Sequence, residues 1–129
     1  MYKPAMSWGA LLAAIAVILG AFGAHSLKEV LAPNQLEVFE TGVKYQFYHS
    51  FALLIVGIAF SAYPFSNLKL ATTFFILGIV FFSGSLYLFP VLEAKNVAIP
   101  TIARLITPLG GLFFIIGWVS FFFGIIKKN

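Results

Sequence analysis

The sequence predicts an all-α membrane protein, an antiparallel bundle of four transmembrane helices with a polar, partly helical first connection. Three observations predict it. Of the 129 residues 61% are hydrophobic and only 9% are charged, where a soluble domain carries roughly 25% charged residues. Four apolar runs, about 6–24, 45–63, 70–92 and 105–126, each come near the ~20 residues that cross ~30 Å of hydrocarbon. Backbone N–H and C=O groups cannot go unpaired in lipid, so these runs must be helices, and short connections between them make neighbours antiparallel. The whole chain, 1–129, reads as a single integral membrane domain.

The first run has Lys3 before it and Ala21-Phe22-Gly23 near its end, the parts of a signal peptide. It is longer than the ~7–15 residues of a signal h-region, so it is read as a retained helix. Nine of the sixteen residues from Gly9 to Ala24 are Gly or Ala. Ala16, Gly20 and Ala24 recur at four-residue spacing, and small residues let membrane helices approach closely. The stripe is therefore expected to pack against another helix.

Ser26 to Lys44 is the one sizeable polar segment. Pro33-Asn34 looks like a helix start, and an interfacial helical stretch over about 34–44 is expected to continue into the second run. Glu40 and Lys44 stand four apart in the order that favours an ion pair. Leu36, Phe39 and Val43 share another face at helical spacing and suit the bilayer surface or the bundle. Farther on, Gln46, Ser50, Leu53, Gly57 and Ser61 form a seam expected to face the interior. Thr41, Tyr45 and His49 form a neighbouring ridge that stacks phenol on imidazole.

The third run is rich in Phe and contains Ser83-Gly84-Ser85, whose hydroxyls can bond back to the preceding turn. It is expected to stop at Phe89-Pro90. In the fourth run Gly110, Gly117 and Gly124 keep a strict seven-residue spacing, the small-residue seam of a left-handed bundle. Pro108-Leu109-Gly110-Gly111 should weaken or kink that helix near its start. Arg104 lies at the same end, where it can snorkel to the interface.

Four helices place the termini and the second loop on one side, with Lys3, Lys69, Lys127 and Lys128. Lys28, Lys44, Lys95 and Arg104 fall on the other, mixed with all four acids. The tie in Lys/Arg is broken by that mixing, and both termini are expected in the cytoplasm of a bacterial plasma membrane. The net charge of +4 is scattered over loops rather than gathered on one face, which argues for a lipid bilayer as partner and against nucleic acid. With no Cys, thiolate chemistry and Cys-ligated metals are excluded.

The same topology brings His25, His49 and Arg104 to one side, together with Glu40, Lys44, Tyr45 and Gln46. Polar groups near hydrocarbon are costly unless paired, so one hydrogen-bonded cluster is expected there, with Glu40 pairing with Arg104 or with a His. Two His raise bis-His haem, yet His25 ends its helix and His49 lies barely a turn inside, which leaves little room for a porphyrin. No matched carboxylate supports a metal, and no nucleophile–base pair, phosphate loop or dinucleotide fingerprint is present. Neither cofactor, metal site nor enzyme activity is expected.

Gly-Ala-Phe-Gly-Ala-His (20–25), Glu40-Thr41-Gly42-Val43-Lys44-Tyr45-Gln46 with His49, and Pro108-Leu109-Gly110-Gly111 with Gly117-Trp118 resemble the signatures of a family of small four-span bacterial membrane proteins. That family has a eukaryotic transmembrane counterpart and is classed as a domain of unknown function. The resemblance runs nearly end to end and implies an integral plasma-membrane protein, with no catalytic residues to carry over. Two functional expectations follow. One is a non-enzymatic structural, accessory or interaction role, with a homo-oligomer or another membrane protein as partner. The other is a small oligomeric transporter or ligand-binding subunit that uses His25, His49 and Glu40.

Overall fold

The computed structural model describes residues 1–128 and contains, among them, helices and no strand. The helices are α1 (Lys3–His25), α2 (Pro33–Ala59), α3 (Ser66–Gly78), α4 (Gly84–Ala94) and α5 (Ile106–Ile126). A five-residue π turn, Ile79–Ser83, joins α3 to α4 without interrupting the rod, and single 3₁₀ turns at Leu27–Glu29 and Ala103–Leu105 begin and end the two connections on the far side. Three stretches are long and apolar enough to cross a membrane: Lys3–Glu29, Ser66–Ala94 and Ala103–Ile126. At 27 residues α2 matches the first of them in length and exceeds the 24 of the last. Its first half carries Glu37, Glu40 and Lys44, which dilute its hydropathy.

Local chemistry explains the boundaries. α2 opens with Pro33 in its first turn, where a missing N–H costs nothing. Gln35 Oε1 accepts the Ala32 N–H at 3.0 Å and ties down the entry. The interfacial stretch and the second run are one unbroken helix. It ends at Ala59, four residues before the expected stop at Tyr63, because the chain already turns over hydrogen bonds such as Tyr63 N–H to Ala59 O, 2.9 Å. Ser61 therefore lies beyond the seam and is exposed.

Pro90 does not end the third rod, which continues to Ala94. A proline removes one backbone hydrogen bond, which neighbouring helices in a bundle let the helix tolerate. The stop comes from Asn96 instead, whose φ of 61° lets the chain reverse. The N–H of Val97 reaches Leu92 O at 2.9 Å and that of Asn96 reaches Glu93 O at 3.0 Å, a Schellman termination. α5 runs unbroken through Pro108, which falls in its first turn, and no break is present at Leu109-Gly110-Gly111.

Packing divides the molecule into two antiparallel hairpins. In the first, α1 lies along α2 and touches little else. Gly9 meets Ser50 and Leu53, Gly23 meets Phe39, and the Tyr2 N–H donates to Gly57 O at 2.9 Å. The buried small residues of α1 are Ala5, Gly9, Ala16 and Gly23. Gly20 touches only Val43, and Ala24 is exposed, so the seam follows a seven-residue repeat through Gly23 rather than a four-residue one through Ala24. A helix pair that winds gently about its partner keeps that longer repeat in contact.

In the second hairpin Gly110, Gly117 and Gly124 stand against Phe82, Phe75 and Leu68, also seven apart and in reverse order. The π turn then changes the partner of the third rod. One extra residue rotates everything after it about the helix axis. α3 therefore packs chiefly on α5, while α4 leaves α5 and packs on α2 through Gly42, Tyr87 and Leu86. The core of the two hairpins centres on Leu53, Val56, Leu68 and Phe75, all fully buried. Phe39 and Val43 join Leu27 and Leu31 in a smaller cluster under the first connection.

Candidate functional site

The buried polar side chains of α2, Gln46, His49 and Ser50, form two interior knots, and the charged ones stay outside. Gln46 makes the first knot. Its Nε2 donates to Leu12 O of α1 at 2.8 Å, and its Oε1 accepts the Tyr87 hydroxyl of α4 at 2.6 Å. One buried amide thus ties three helices. Ser50 donates to the Gln46 carbonyl at 2.6 Å, and Ser83 in the π turn donates to Gly42 O at 2.8 Å. Ser83 therefore bonds to another helix rather than back along its own. Ser85 does bond back, to Phe82 O at 2.8 Å, and also meets the Thr107 hydroxyl of α5 at 2.6 Å.

His49 makes the second knot. Its Nδ1 lies 2.8 Å from Tyr45 O, and its Nε2 lies 3.0 Å from the indole Nε1 of Trp118. An indole N–H can only donate and a carbonyl can only accept. The two partners therefore fix a neutral ring that carries its proton on Nδ1. The Phe114 ring stacks on the imidazole at 3.6 Å between centroids and 10° between planes, and the Tyr45 ring lies beside both, 6.2 Å from His49 and 6.3 Å from Phe114. His49 is 4% exposed. With both ring nitrogens engaged, a ligand or metal at this ring must first break a hydrogen bond. Among the described residues no group of three His, Cys, Asp or Glu is placed to hold a metal ion.

The residues that the sequence drew into a single cluster are thus distributed over separate places. Tyr45, Gln46 and His49 are close together on α2. His25, Glu40 and Lys44 are exposed, and Arg104 pairs not with Glu40 but with Glu93, at 2.6 Å. That is the one ion pair among the described residues. Its reason is the Schellman turn, which stops α4 with Glu93 in its last turn, facing the start of α5. Trp118, Tyr87 and Glu93 complete the interior and the rim. A phenol and an indole N–H in long apolar runs need partners, and that is the signal by which Tyr87 and Trp118 could have been found.

Because α4 leaves α5 at the π turn, a cleft opens between α2 and α5 with the third rod as its floor. Its outer part, about 200 Å³, lies among Asn34, Gln35, Glu93, Arg104 and Thr107. Its deeper part, about 520 Å³, is walled by Tyr45, Phe82, Leu112, Phe114 and Trp118 and reaches His49.

The comparisons agree with a membrane protein. A family model described as "Protein of unknown function (DUF423)" matches residues 19–111. A UPF0382 membrane protein of Staphylococcus aureus (strain bovine RF122) is 43% identical over 111 residues, covering 86% of this chain and 85% of its own. The UPF0382 membrane protein YwdK of Bacillus subtilis is 42% identical over 122 residues, 92% of this chain and 93% of its own. A Haemophilus influenzae relative of the same description is 40% identical over 114 residues, 88% and 86% of the two chains. No solved structure matches. The matched segment holds all three signature stretches but for Gly117-Trp118, and the chain belongs to the DUF423 family of bacterial membrane proteins.

Proposed function

We propose that this protein is a four-span antiparallel bundle of the bacterial plasma membrane with both termini in the cytoplasm. Its role in this reading is non-enzymatic: structural, accessory, or as an interaction partner of other membrane components. The observation that carries the role is the use made of the interior polar groups. Gln46 and Ser83 are spent on bonds between helices, and His49 is locked between Tyr45 O and Trp118. A transport pathway through His25, His49 and Glu40 would need three groups that here lie apart.

The span count is supported by packing. α1 is apolar enough to cross and has α2 as its main partner. If α1 is in the bilayer, α2 lies beside it. At ~1.5 Å per residue α2 is about 40 Å long, so its charged first turns project beyond ~30 Å of hydrocarbon.

Two experiments test the reading. The chain has no cysteine, so Lys3→Cys and Lys128→Cys can be labelled singly in intact cells. Four spans require both to be reached from the same side, and labelling from opposite sides would leave three. For the role, His49→Leu should lower the unfolding temperature in detergent, while His25→Gln should leave it unchanged. A His49→Leu protein as stable as the parent would remove the structural account of that residue.

A further inference from the structure

We propose that the cleft between α2 and α5 is a binding site for one phospholipid of the leaflet on the Arg104 side. The phosphate sits at Arg104 and one acyl chain runs inward to His49 and Trp118. The inference rests on the membrane-spanning reading above and adds a ligand to it.

The cleft changes character along its length. At the mouth it presents Arg104 with its partner Glu93, the amides of Asn34 and Gln35, and the Thr107 hydroxyl. Deeper in, its walls are aromatic and aliphatic. Phe82 lines the inner part, and Leu86 and Phe89 farther along the same rod line the outer part. Thr107 and Pro108, one in each lining, are neighbours in the chain, so the two parts follow one another along the groove between α2 and α5. From Asn34 to His49 along α2, and from Arg104 to Trp118 along α5, the rise is roughly 21–23 Å. One leaflet with its headgroups is also about 20–22 Å deep. The cleft is one lipid deep, polar where a headgroup lies and apolar where a chain lies.

Arg104 is fitted to the headgroup. Glu93 takes only one of its guanidinium nitrogens, Nη2, and the side chain is 53% exposed. Arginine has five N–H donors in a fork that matches phosphate oxygens, so donors remain for a second acceptor. An apolar helix of a second copy would fill the inner cleft but leave this mouth unmatched.

The two tryptophans provide the test. Trp118 lines the cleft and is 44% exposed, while Trp8 lies on α1 and is 45% exposed. The Trp8→Phe protein reports from the cleft and the Trp118→Phe protein from the opposite hairpin. Each is reconstituted in vesicles in which dibrominated phosphatidylglycerol or a neutral dibrominated diglucosyl diacylglycerol competes with unbrominated lipid. Quenching of Trp118 should show about fivefold preference for the phosphate-bearing lipid, the worth of one arginine near an anionic headgroup. Trp8 should show none.

Arg104→Gln should abolish the preference. Glu93→Gln, which frees the guanidinium, should increase it, an outcome that impaired folding would not produce. Equal quenching of Trp118 by both lipids, or a preference that survives Arg104→Gln, overturns the site while leaving a membrane-embedded bundle intact. Trp118 shielded from both lipids while Trp8 is quenched also overturns it, because a second copy then covers the cleft. Failure of the four-span reading shows separately, in the cysteine labelling.

Discussion

Along α5, Gly110, Gly117 and Gly124 face the third rod, and at the latter two the neighbour is a large side chain, Phe75 or Leu68. Along the first hairpin backbone comes close as well: a Cβ on Gly9 would stand 2.8 Å from Ser50 O, and one on Gly57 would meet the Met6 side chain and, behind it, the Met6 amide and the Tyr2 carbonyl, while Gly23 faces the Phe39 ring. The second hairpin thus seats large side chains in its Gly117 and Gly124 notches, whereas the first also brings two backbones together at Gly9 and Gly57 and adds polar bonds through Gln46. The difference teaches where each half can yield. A ring can turn to admit a methyl group, but a helix backbone can only move away as a whole.

Gly110 is the exception within the second hairpin, and it gives the largest expected effect. Its neighbours are the backbone atoms of Phe81 and Phe82 inside the π turn. Gly110→Ala should cost about 3 kcal/mol, at the upper end of overpacking effects, because α5 must leave the turn. Gly111→Ala next to it has only Phe82 Cδ2 at 3.9 Å and should stay within about 0.5 kcal/mol. Thermal unfolding of both in one detergent checks the pair. If Gly110→Ala is as mild as Gly111→Ala, the distinction between backbone and side-chain neighbours fails.

Gln46→Leu probes the polar bonds of the first hairpin. It removes the bond to Leu12 O and leaves the Tyr87 hydroxyl without its acceptor. Hydrogen bonds between membrane helices average only about 0.6 kcal/mol, so two together should cost about 1–2 kcal/mol. Adding Tyr87→Phe should recover part of this, since no orphaned hydroxyl then remains. A double variant worse than the single one would mean that Tyr87 has a partner other than Gln46.

How much of this could be read from the sequence depends on how distinctive each pattern was. The seven-residue glycine repeat of α5 has no competitor in its run, and the glycines it marks are those that pack. The seam of Gln46, Ser50, Leu53 and Gly57 is buried along its whole length. α1 was ambiguous because Gly and Ala fill it: Ala16, Gly20 and Ala24 compete with Gly9, Ala16 and Gly23, and the choice is made by Phe39 and Ser50 on the partner helix. The π turn has no local signal in Ile79–Ser83. It accommodates the close approach of Gly110 and a hydrogen bond to Gly42, both remote in sequence. His49 and Trp118, 69 residues apart, could be paired only by knowing that turn.

The Glu93–Arg104 pair should be the mildest contact to break, and that property makes the cleft testable. It lies outside both seams, with the two side chains 34% and 53% exposed. Solvent screening limits such a pair to about 0.2–1 kcal/mol. A double-mutant cycle with Glu93→Gln and Arg104→Gln, followed by unfolding in detergent, should give a coupling in that range that falls with added salt. A coupling above about 2 kcal/mol would make Arg104 part of the framework that holds α4 to α5. A small one means that the guanidinium can be altered while Gly110, Gln46 and His49 keep their places. Whatever lipid preference then disappears with Arg104 was set at the mouth of the cleft.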